Sequence, residues 1–218
     1  MTRRIVLVSA GLGVPSSTRL LGDQLAAATV RSLAARGETA EVDVIELRPL
    51  AHPLADHLLT GFPSGELAEA IETVRRADAL VVVSPVFQAS YSGLFKMFFD
   101  VLETGLVAGK PVLLGATAGT ARHSLVLEHA LRPLFAHLKA IIVPTAVFAA
   151  SEDFGATAGG RLGERVDRAA AELADLVAGR LSSREVVAGF DDPTPFEDLL
   201  RGCRASGRGD DRGRAVRC

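Results

Sequence analysis

The residues best suited to chemistry gather in three short stretches. The first, Ser9-Ala10-Gly11-Leu12-Gly13-Val14-Pro15-Ser16-Ser17-Thr18-Arg19, leads from an apolar segment into a helical one. A helix N-terminus presents free N–H groups and the positive end of the helix dipole, and both attract an anion. Ser16, Ser17 and Thr18 add hydroxyl donors, and Arg19 adds a planar fork suited to phosphate. Capping the helix would use one such hydroxyl, so three with an arginine exceed that need. A P-loop would require Lys-Ser or Lys-Thr after its last glycine, and a dinucleotide fingerprint would require glycine or alanine where Ser16 stands. The pattern favours a monophosphate held by hydroxyls over a pyrophosphate held against bare backbone.

The second stretch is Ser84-Pro85-Val86-Phe87-Gln88-Ala89-Ser90-Tyr91-Ser92-Gly93. Proline and small residues let backbone N–H groups approach a flat ligand, and Phe87 and Tyr91 can pack on its rings. The same composition suits a polar turn carrying two core aromatics. In the third stretch, Thr117-Ala118-Gly119-Thr120, flexible backbone stands beside hydroxyls, as it also would in an ordinary strand-to-helix turn. Other chemistries find little support. His123 and His129 are six apart and His129 and His137 eight apart, so neither pair has the i, i+4 spacing of helical metal ligands. His52 and His57 fall in an expected loop, where solvation is the simpler reading. Lys96, Asp100 and Glu103 read as the polar edge of a helix, and a Gly-x-Ser-x-Gly elbow is missing. Neither a bound metal nor a catalytic side chain is expected.

The elements that must position these stretches follow from hydrophobic patterning. Short apolar runs at Ile5–Ser9, Val42–Glu46, Ala79–Ser84, Pro111–Ala116 and Ala140–Phe148 read as strands, several almost unbroken in Val, Leu and Ile. Such continuity is expected when both faces of a sheet are covered. Between them lie helical segments at Ser17–Arg36, Gly65–Arg76, Gly93–Glu103, Arg122–Leu138 and Arg161–Leu181. Alternating strands and helices imply right-handed βαβ units, and hence an α/β fold. The expected architecture is a flavodoxin-like, doubly wound, five-stranded parallel sheet with strand order 2-1-3-4-5. In such sheets ligands bind beyond the carboxyl ends of the strands, where the loops after strands 1, 3 and 4 converge. The domain is expected to span residues 1–181. Residues 182–218, rich in Gly, Arg and Asp after Asp191-Asp192-Pro193, form an extension expected to be largely disordered.

Together the three stretches resemble the NADPH-dependent FMN reductase family, especially the reductases that feed reduced flavin to alkanesulfonate and related luciferase-like monooxygenases. The likeness runs roughly from Ile5 to Phe154. It is most specific in Ser84-Pro-Val-Phe-Gln-Ala-Ser-Tyr-Ser-Gly-Leu-Phe-Lys96 with Asp100, in Leu114-Gly-Ala-Thr-Ala-Gly-Thr120, and in Ala130-Leu-Arg-Pro-Leu-Phe135. The resemblance implies that Ser16, Thr18 and Arg19 hold the FMN phosphate, with Ser9 at the start of the loop. Pro85, Val86, Phe87 and Gln88 would line one side of the isoalloxazine, and Thr117, Ala118, Gly119 and Thr120 its pyrimidine edge. Gly11 and Gly13 stand where many relatives carry Ser and Arg, which weakens the phosphate clamp. Phe87 replaces a frequent tyrosine, and Ser92 a frequent proline.

Pro133 lies inside the helical run Arg122–Leu138, with its ring opposed to the carbonyl of His129, so a kink or π-bulge is expected there. In the resembled reductases a π-helix occurs at a subunit interface, with tyrosine or histidine at the inserted position, here His129. The apolar residues Val126, Leu127, Ala130, Leu131, Leu134, Phe135 and Leu138 cover an arc of about 180°, against the ~100° that one sheet contact needs. The helix from Gly93 is wider still. Burying the surplus would contribute on the order of 1.5–3 kcal/mol per large side chain, so a homodimer or homotetramer is expected.

The implied activity is hydride transfer from NADPH or NADH to FMN, with reduced flavin passing to a partner monooxygenase. That chemistry belongs to flavin and nicotinamide themselves, and the protein stacks them at about 3–3.5 Å and donates hydrogen bonds to the reduced ring. Three alternatives stay open: a quinone, azo-dye or metal-ion reductase with tightly held FMN, a flavodoxin-type electron carrier, and a non-catalytic scaffold. Flavodoxins are typically strongly acidic, whereas this chain of 218 residues has a net charge of -2. The same near-neutrality argues against nucleic acid as a partner. With 48% hydrophobic residues but no run long enough to span a bilayer, no membrane role is expected. Cys203 and Cys218 both lie in the polar tail, so no disulfide framework is implied and a cytoplasmic home is expected.

Overall fold

The computed structural model describes residues 2–63, 65–155 and 159–179; the segment 182–218, with the disorder expected of it, lies outside the described residues. Strand β1 (Thr2–Ser9) is followed by α1 (Ser17–Ala34), β2 (Thr39–Glu46), α2 (Ala51–Thr60) and α3 (Gly65–Arg76). Next come β3 (Ala79–Phe87), the short β4 (Ser90–Tyr91), α4 (Gly93–Asp100) and β5 (Pro111–Ala118). A π-helical turn at Leu127–Leu131 leads into α5 (Arg132–His137), and then come β6 (Ile141–Ile142), β7 (Val147–Ala150) and α6 (Gly159–Val177).

The sheet order is β2-β1-β3-β5-β6, all parallel, with β7 also paired to β5. This is the expected 2-1-3-4-5 order, because β6 and β7 are two pieces of the single fifth strand anticipated at Ala140–Phe148. Pro144 supplies no N–H for the ladder, so pairing lapses between Ile142 and Val147. The gap is braced from two sides. The Arg132 guanidinium donates to the carbonyls of Val143 and Pro144, and Glu172 accepts from the Thr145 amide at 2.7 Å and from its hydroxyl at 2.8 Å.

Alternate residues of each strand enter opposite layers, as the period of two requires. Ile5 and Leu7 of β1, with Val81 and Val83 of β3, pack on α1 and α6. Val6, Val8, Leu80 and Val82 pack on the other face, against α2, α3, α4 and the π-helical segment.

Three local features differ from the expectations. The region of His52 and His57 is not a loop but α2, closed by Gly61 at φ 79° in the left-handed conformation that ends many helices. Pro53 is tolerated because it sits in the first turn, where no N–H partner is needed. Only Leu54 of this helix is fully buried. The β3–β4 pair is a hairpin turned by Gln88 and Ala89, with φ of 48° and 66°. Finally, the expected helix Arg122–Leu138 is broken into a 3-10 turn at Ala121–His123, the π turn and α5. The Arg132 amide bonds the Leu127 carbonyl, five residues back, which is the π pattern anticipated around His129.

Candidate functional site

At the carboxyl edge of the sheet, β1 ends at the buried Ser9, whose carbonyl accepts from the Leu47 amide at 2.9 Å. The Ala10 amide bonds the Val83 carbonyl at 3.0 Å, so the first loop leaves the sheet directly beside β3. It then folds back on itself. Ser16 caps α1, its Oγ accepting from the Arg19 amide at 3.1 Å. A Cβ on Gly11 would lie 2.0 Å from that oxygen and 3.2 Å from Thr18 Cβ, so glycine permits this close approach.

The second loop is fixed by Ser84. Its hydroxyl donates to the Pro85 carbonyl and accepts from the Ser92 amide, both at 2.9 Å. Ser92 in turn caps α4 through the Phe95 amide at 3.2 Å. Pro85 stands opposite Thr117 in the β3–β5 register, so the second and third loops emerge side by side. The first and third loops are joined by a buried hydrogen bond, Thr18 Oγ1 to Thr117 Oγ1, at 2.7 Å.

The three loops enclose a cavity of about 270 Å³ lined by Ser16, Ser17, Thr18, Pro85, Val86, Phe87, Thr117, Ala118 and Gly119, with Leu12, Gly13, Pro15 and Ser151. Larger hollows exist, of about 370 Å³ between β2 and α3 and about 490 Å³ between α1 and α6, but neither gathers the loop hydroxyls. Eight of the anticipated residues thus meet in one place: Ser16, Thr18, Pro85, Val86, Phe87, Thr117, Ala118 and Gly119. Ser9 lies beneath the loop, Gln88 turns the hairpin, and Thr120 stands at the start of the 3-10 turn; none of them lines the cavity.

Arg19 is placed differently from the expectation. Its guanidinium lies 2.8 Å from Asp23 and 3.0 Å from Glu46, and these carboxylates raise its pKa, chiefly through the hydrogen bond to Asp23. It lines the hollow beside β2 instead of the cleft. Tyr91, anticipated beside Phe87, instead packs on Phe95 with ring centroids 5.8 Å apart. Phe87 stays at the lip, 46% exposed. Ser151 was missed by sequence reasoning, although its place immediately after β7, at the same sheet edge, is a usable signal.

The cleft has two chemically distinct ends. At the α1 end stand free helix N–H groups and hydroxyls. Ser16 Oγ accepts from the backbone and keeps its own proton to donate, and the Thr18–Thr117 pair has one proton left over. At the other end Pro85, Val86, Phe87, Ala118 and Gly119 offer flat apolar contact and backbone. This donor set fits a flat ring carrying one phosphate. Among the described residues lining the cleft, none is charged.

A doubly wound sheet with such a cleft at its carboxyl edge defines a nucleotide-binding α/β protein of flavodoxin-like type. Residues 3–155 match the family described as NADPH-dependent FMN reductase. An FMN reductase (NADPH) of Pseudomonas aeruginosa is 39% identical over 181 residues, covering 81% of this chain and 94% of the relative. An NADH-dependent FMN reductase, SfnF of Pseudomonas putida, is 38% identical over 151 residues, covering 69% of this chain and 79% of the relative. The solved structure of an oxidoreductase from Corynebacterium diphtheriae has a TM-score of 0.79 at 47% identity, covering 82% of this chain and 98% of that one. The chain belongs to the NADPH-dependent FMN reductase family. It is an oxidoreductase working with FMN and a nicotinamide dinucleotide. Among the described residues no helix is long and apolar enough to cross a membrane, and no His, Cys, Asp and Glu cluster is arranged for a metal ion.

Proposed function

We propose that the three-loop cleft takes FMN as an exchanging substrate, and that reduced flavin leaves for a flavin-dependent monooxygenase. The observation that carries this reading is the buried 2.7 Å bond between Thr18 and Thr117, which joins segments 99 residues apart around one cleft. The phosphate would sit at the start of α1, held by Ser16, Ser17 and Thr18. Pro85, Val86 and Phe87 would cover one side of the ring, with Gln88 turning the hairpin beside them, and Thr117, Ala118 and Gly119 would meet its polar edge, with Thr120 just beyond. When bound, FMN supplies the acceptor for a hydride from the nicotinamide. The chain's part is to orient the ring, shield it from water and donate backbone hydrogen bonds to it, so no acid or base side chain is assigned.

Relatives are named for NADPH and for NADH, so both are candidate donors. The relatives SfnE and SfnF are named as NADH-dependent FMN reductases. The flavin-binding unit is residues 1–181, working in the cytoplasm as a homodimer or homotetramer. Its contact face is α4 with the π-helical segment, where Leu94, Met97, Val101, Leu102, Leu134 and Leu138 remain only partly buried. Light scattering at micromolar protein reads the assembly, and a monomer alone would remove that part.

The deciding experiment follows NADPH and NADH oxidation by absorbance, with and without added FMN. Saturable dependence on added FMN is expected. FMN that stays with the protein through gel filtration and turnover would turn the assignment toward a quinone, azo-dye or metal-ion reductase. No oxidation of either dinucleotide with FMN present would favour an electron carrier.

A further inference from the structure

The segment that walls the ring end of the cleft is an excursion from the sheet. Beyond Ser84, β3 carries Pro85, Val86 and Phe87 along the cleft, turns at Gln88 and Ala89, and returns through Ser90 and Tyr91 to Ser92. Little within the excursion holds it. Among the described residues only two pairs, Val86 with Tyr91 and Phe87 with Ser90, join its strands, and so short a hairpin is marginal by itself. Its turn places two non-glycine residues at φ of 48° and 66°, a left-handed region that side chains disfavour. Tyr91 rests on Phe95, which secures the returning strand to α4 but not the outgoing one. The base of the hairpin is where the two are fastened. Ser84 and Ser92 are both buried, and the Ser92 amide donates to Ser84 Oγ at 2.9 Å across eight positions. The Ser84 hydroxyl gives its own proton to the Pro85 carbonyl, also at 2.9 Å. Ser92 has φ of -66° and ψ of 149°, values that proline would also adopt. Serine thus holds by a hydrogen bond a backbone that proline would hold covalently.

We propose that Ser84 and Ser92 are positioning residues, and that their clasp fixes Pro85, Val86 and Phe87 as the wall against which the flavin ring lies. The inference rests on the flavin reading above and deepens it. Neither serine lines the cleft, so both act through the hairpin. With the Ser84 hydroxyl removed, the closed hairpin leaves the buried Ser92 amide without an acceptor, which favours opening. Flavin binds the closed hairpin, so its apparent affinity falls with the closed fraction. Bound flavin holds the hairpin shut, and turnover at saturation proceeds as before. The signature is a raised Kd and KM for FMN with kcat retained.

The test uses Ser84→Ala and Ser92→Pro, singly and together, in the full chain. FMN dissociation constants are read by flavin fluorescence quenching, and amide hydrogen exchange is followed in the flavin-free protein. Ser84→Ala should weaken FMN by about tenfold, raise its KM to match and leave kcat within about twofold. Exchange should quicken over residues 85–92 and stay unchanged in β1 and α1. In the Ser92→Pro background there is no amide to orphan and φ stays fixed, so the same change at Ser84 should weaken FMN by less than about threefold. The lost bond to the Pro85 carbonyl is common to both backgrounds and cancels. Ser92→Ala removes the hydroxyl that caps α4 but keeps the amide, and should also weaken FMN by less than about threefold.

Four results would overturn the proposal: an unchanged FMN Kd in Ser84→Ala, a kcat that falls with the affinity, the same loss in both backgrounds, or a loss in Ser92→Ala as large as in Ser84→Ala. The Ser92→Ala arm needs no change at Ser84, so it can refute the proposal even if Ser84→Ala fails to fold. Were FMN not bound by the unmodified protein, the flavin reading itself would fail and this inference with it. FMN binding that is indifferent to the clasp would remove this inference alone.

Discussion

The two faces of the sheet are finished differently. On one, α1 and α6 lie together over Ile5, Leu7, Val81, Val83 and Leu113, and Leu21, Leu25, Leu33, Ala169, Ala170 and Leu173 are fully enclosed. Arg31–Asp167 and Arg36–Asp175 bridge the two helices, and Arg36 also donates to the Ala171 carbonyl. On the other face, α4 and the π-helical segment bury Phe95, Phe99, Leu131 and Phe135 but leave a rim of half-covered apolar side chains. Beyond it, α2 and the residues after it expose Leu59 at 87% and Phe62 at 79%. Arginine fits the outer seam of the first face because the seam meets water. The second face has leucine and methionine at its rim, and this composition is what motivates the proposed assembly. The lesson is that the two sides of one sheet can be finished by different means, paired charges along one seam and half-covered apolar side chains along the other.

The largest effects should come from emptying each face in turn. Phe135 touches Phe99 at 4.8 Å and Phe95 at 6.2 Å between centroids, and Phe135→Ala should cost about 3–5 kcal/mol. Leu173→Ala on the opposite face should cost about 2–5 kcal/mol. The contrast lies in concentration. Urea unfolding of the native chain and of Leu173→Ala should give parallel shifts at dilute and concentrated protein, with the difference between the two unchanged. Phe135→Ala should lose more at high concentration, because it also undermines the face where association would stabilise the fold. Equal losses at both concentrations would erase the proposed asymmetry.

A smaller effect tests how tightly each face is closed. A Cβ on Gly22 would approach Leu7 Cδ1 to 2.7 Å, so Gly22→Ala should cost about 1–3 kcal/mol by forcing α1 off the sheet. Gly93, at the start of α4, meets nothing within 4 Å, and alanine there should be neutral or gain about 0.5 kcal/mol. Thermal unfolding of the pair reads this directly. A neutral Gly22→Ala would mean that the α1 side is looser than described.

How far the sequence foretold all this depends on the kind of signal. Strands buried on both faces, such as Leu80–Val83, announce themselves as unbroken apolar runs, so the strands could be placed, while their order came with the flavodoxin-like fold. Pro133 announced the π turn because a missing N–H has a fixed local consequence. The loop residues Ser16, Phe87 and Gly119 could be brought to one edge because strand ends converge there by topology. What escaped depended on tertiary partners. Helix α2 is short, carries Pro53 in its first turn and has one fully buried position, so it reads as a loop. Tyr91 chose Phe95 over the cleft, and Arg19 chose Glu46, a residue 27 positions away that only the β1–β2 pairing brings near. Side-chain direction among competing partners is a property of the assembled fold, and no local pattern encodes it.

The smallest effect compares the ion pairs of the two faces. Arg31 and Asp167, 66% and 67% exposed, straddle the finished face, and losing them should change stability by less than about 0.5 kcal/mol. Glu128, in the π turn, meets Arg132 at 2.7 Å, and the guanidinium holds its carboxyl below the ordinary value of 4.5. A carboxylate whose pKa is depressed by folding stabilises the native state above its unfolded pKa. That contribution fades as pH falls from about 4.5 through the lower folded value. Because Arg132 also grips the Val143 and Pro144 carbonyls, protonating Glu128 loosens the brace across the β6–β7 gap. Glu128→Gln should therefore lower neutral-pH stability by about 0.3–0.5 kcal/mol, and the deficit relative to the native chain should vanish once the pH has fallen below the depressed folded value. Urea unfolding at neutral and acid pH measures it. A deficit that persists at acid pH would assign the loss to packing of the π turn and would leave the charged pair no part in holding that face.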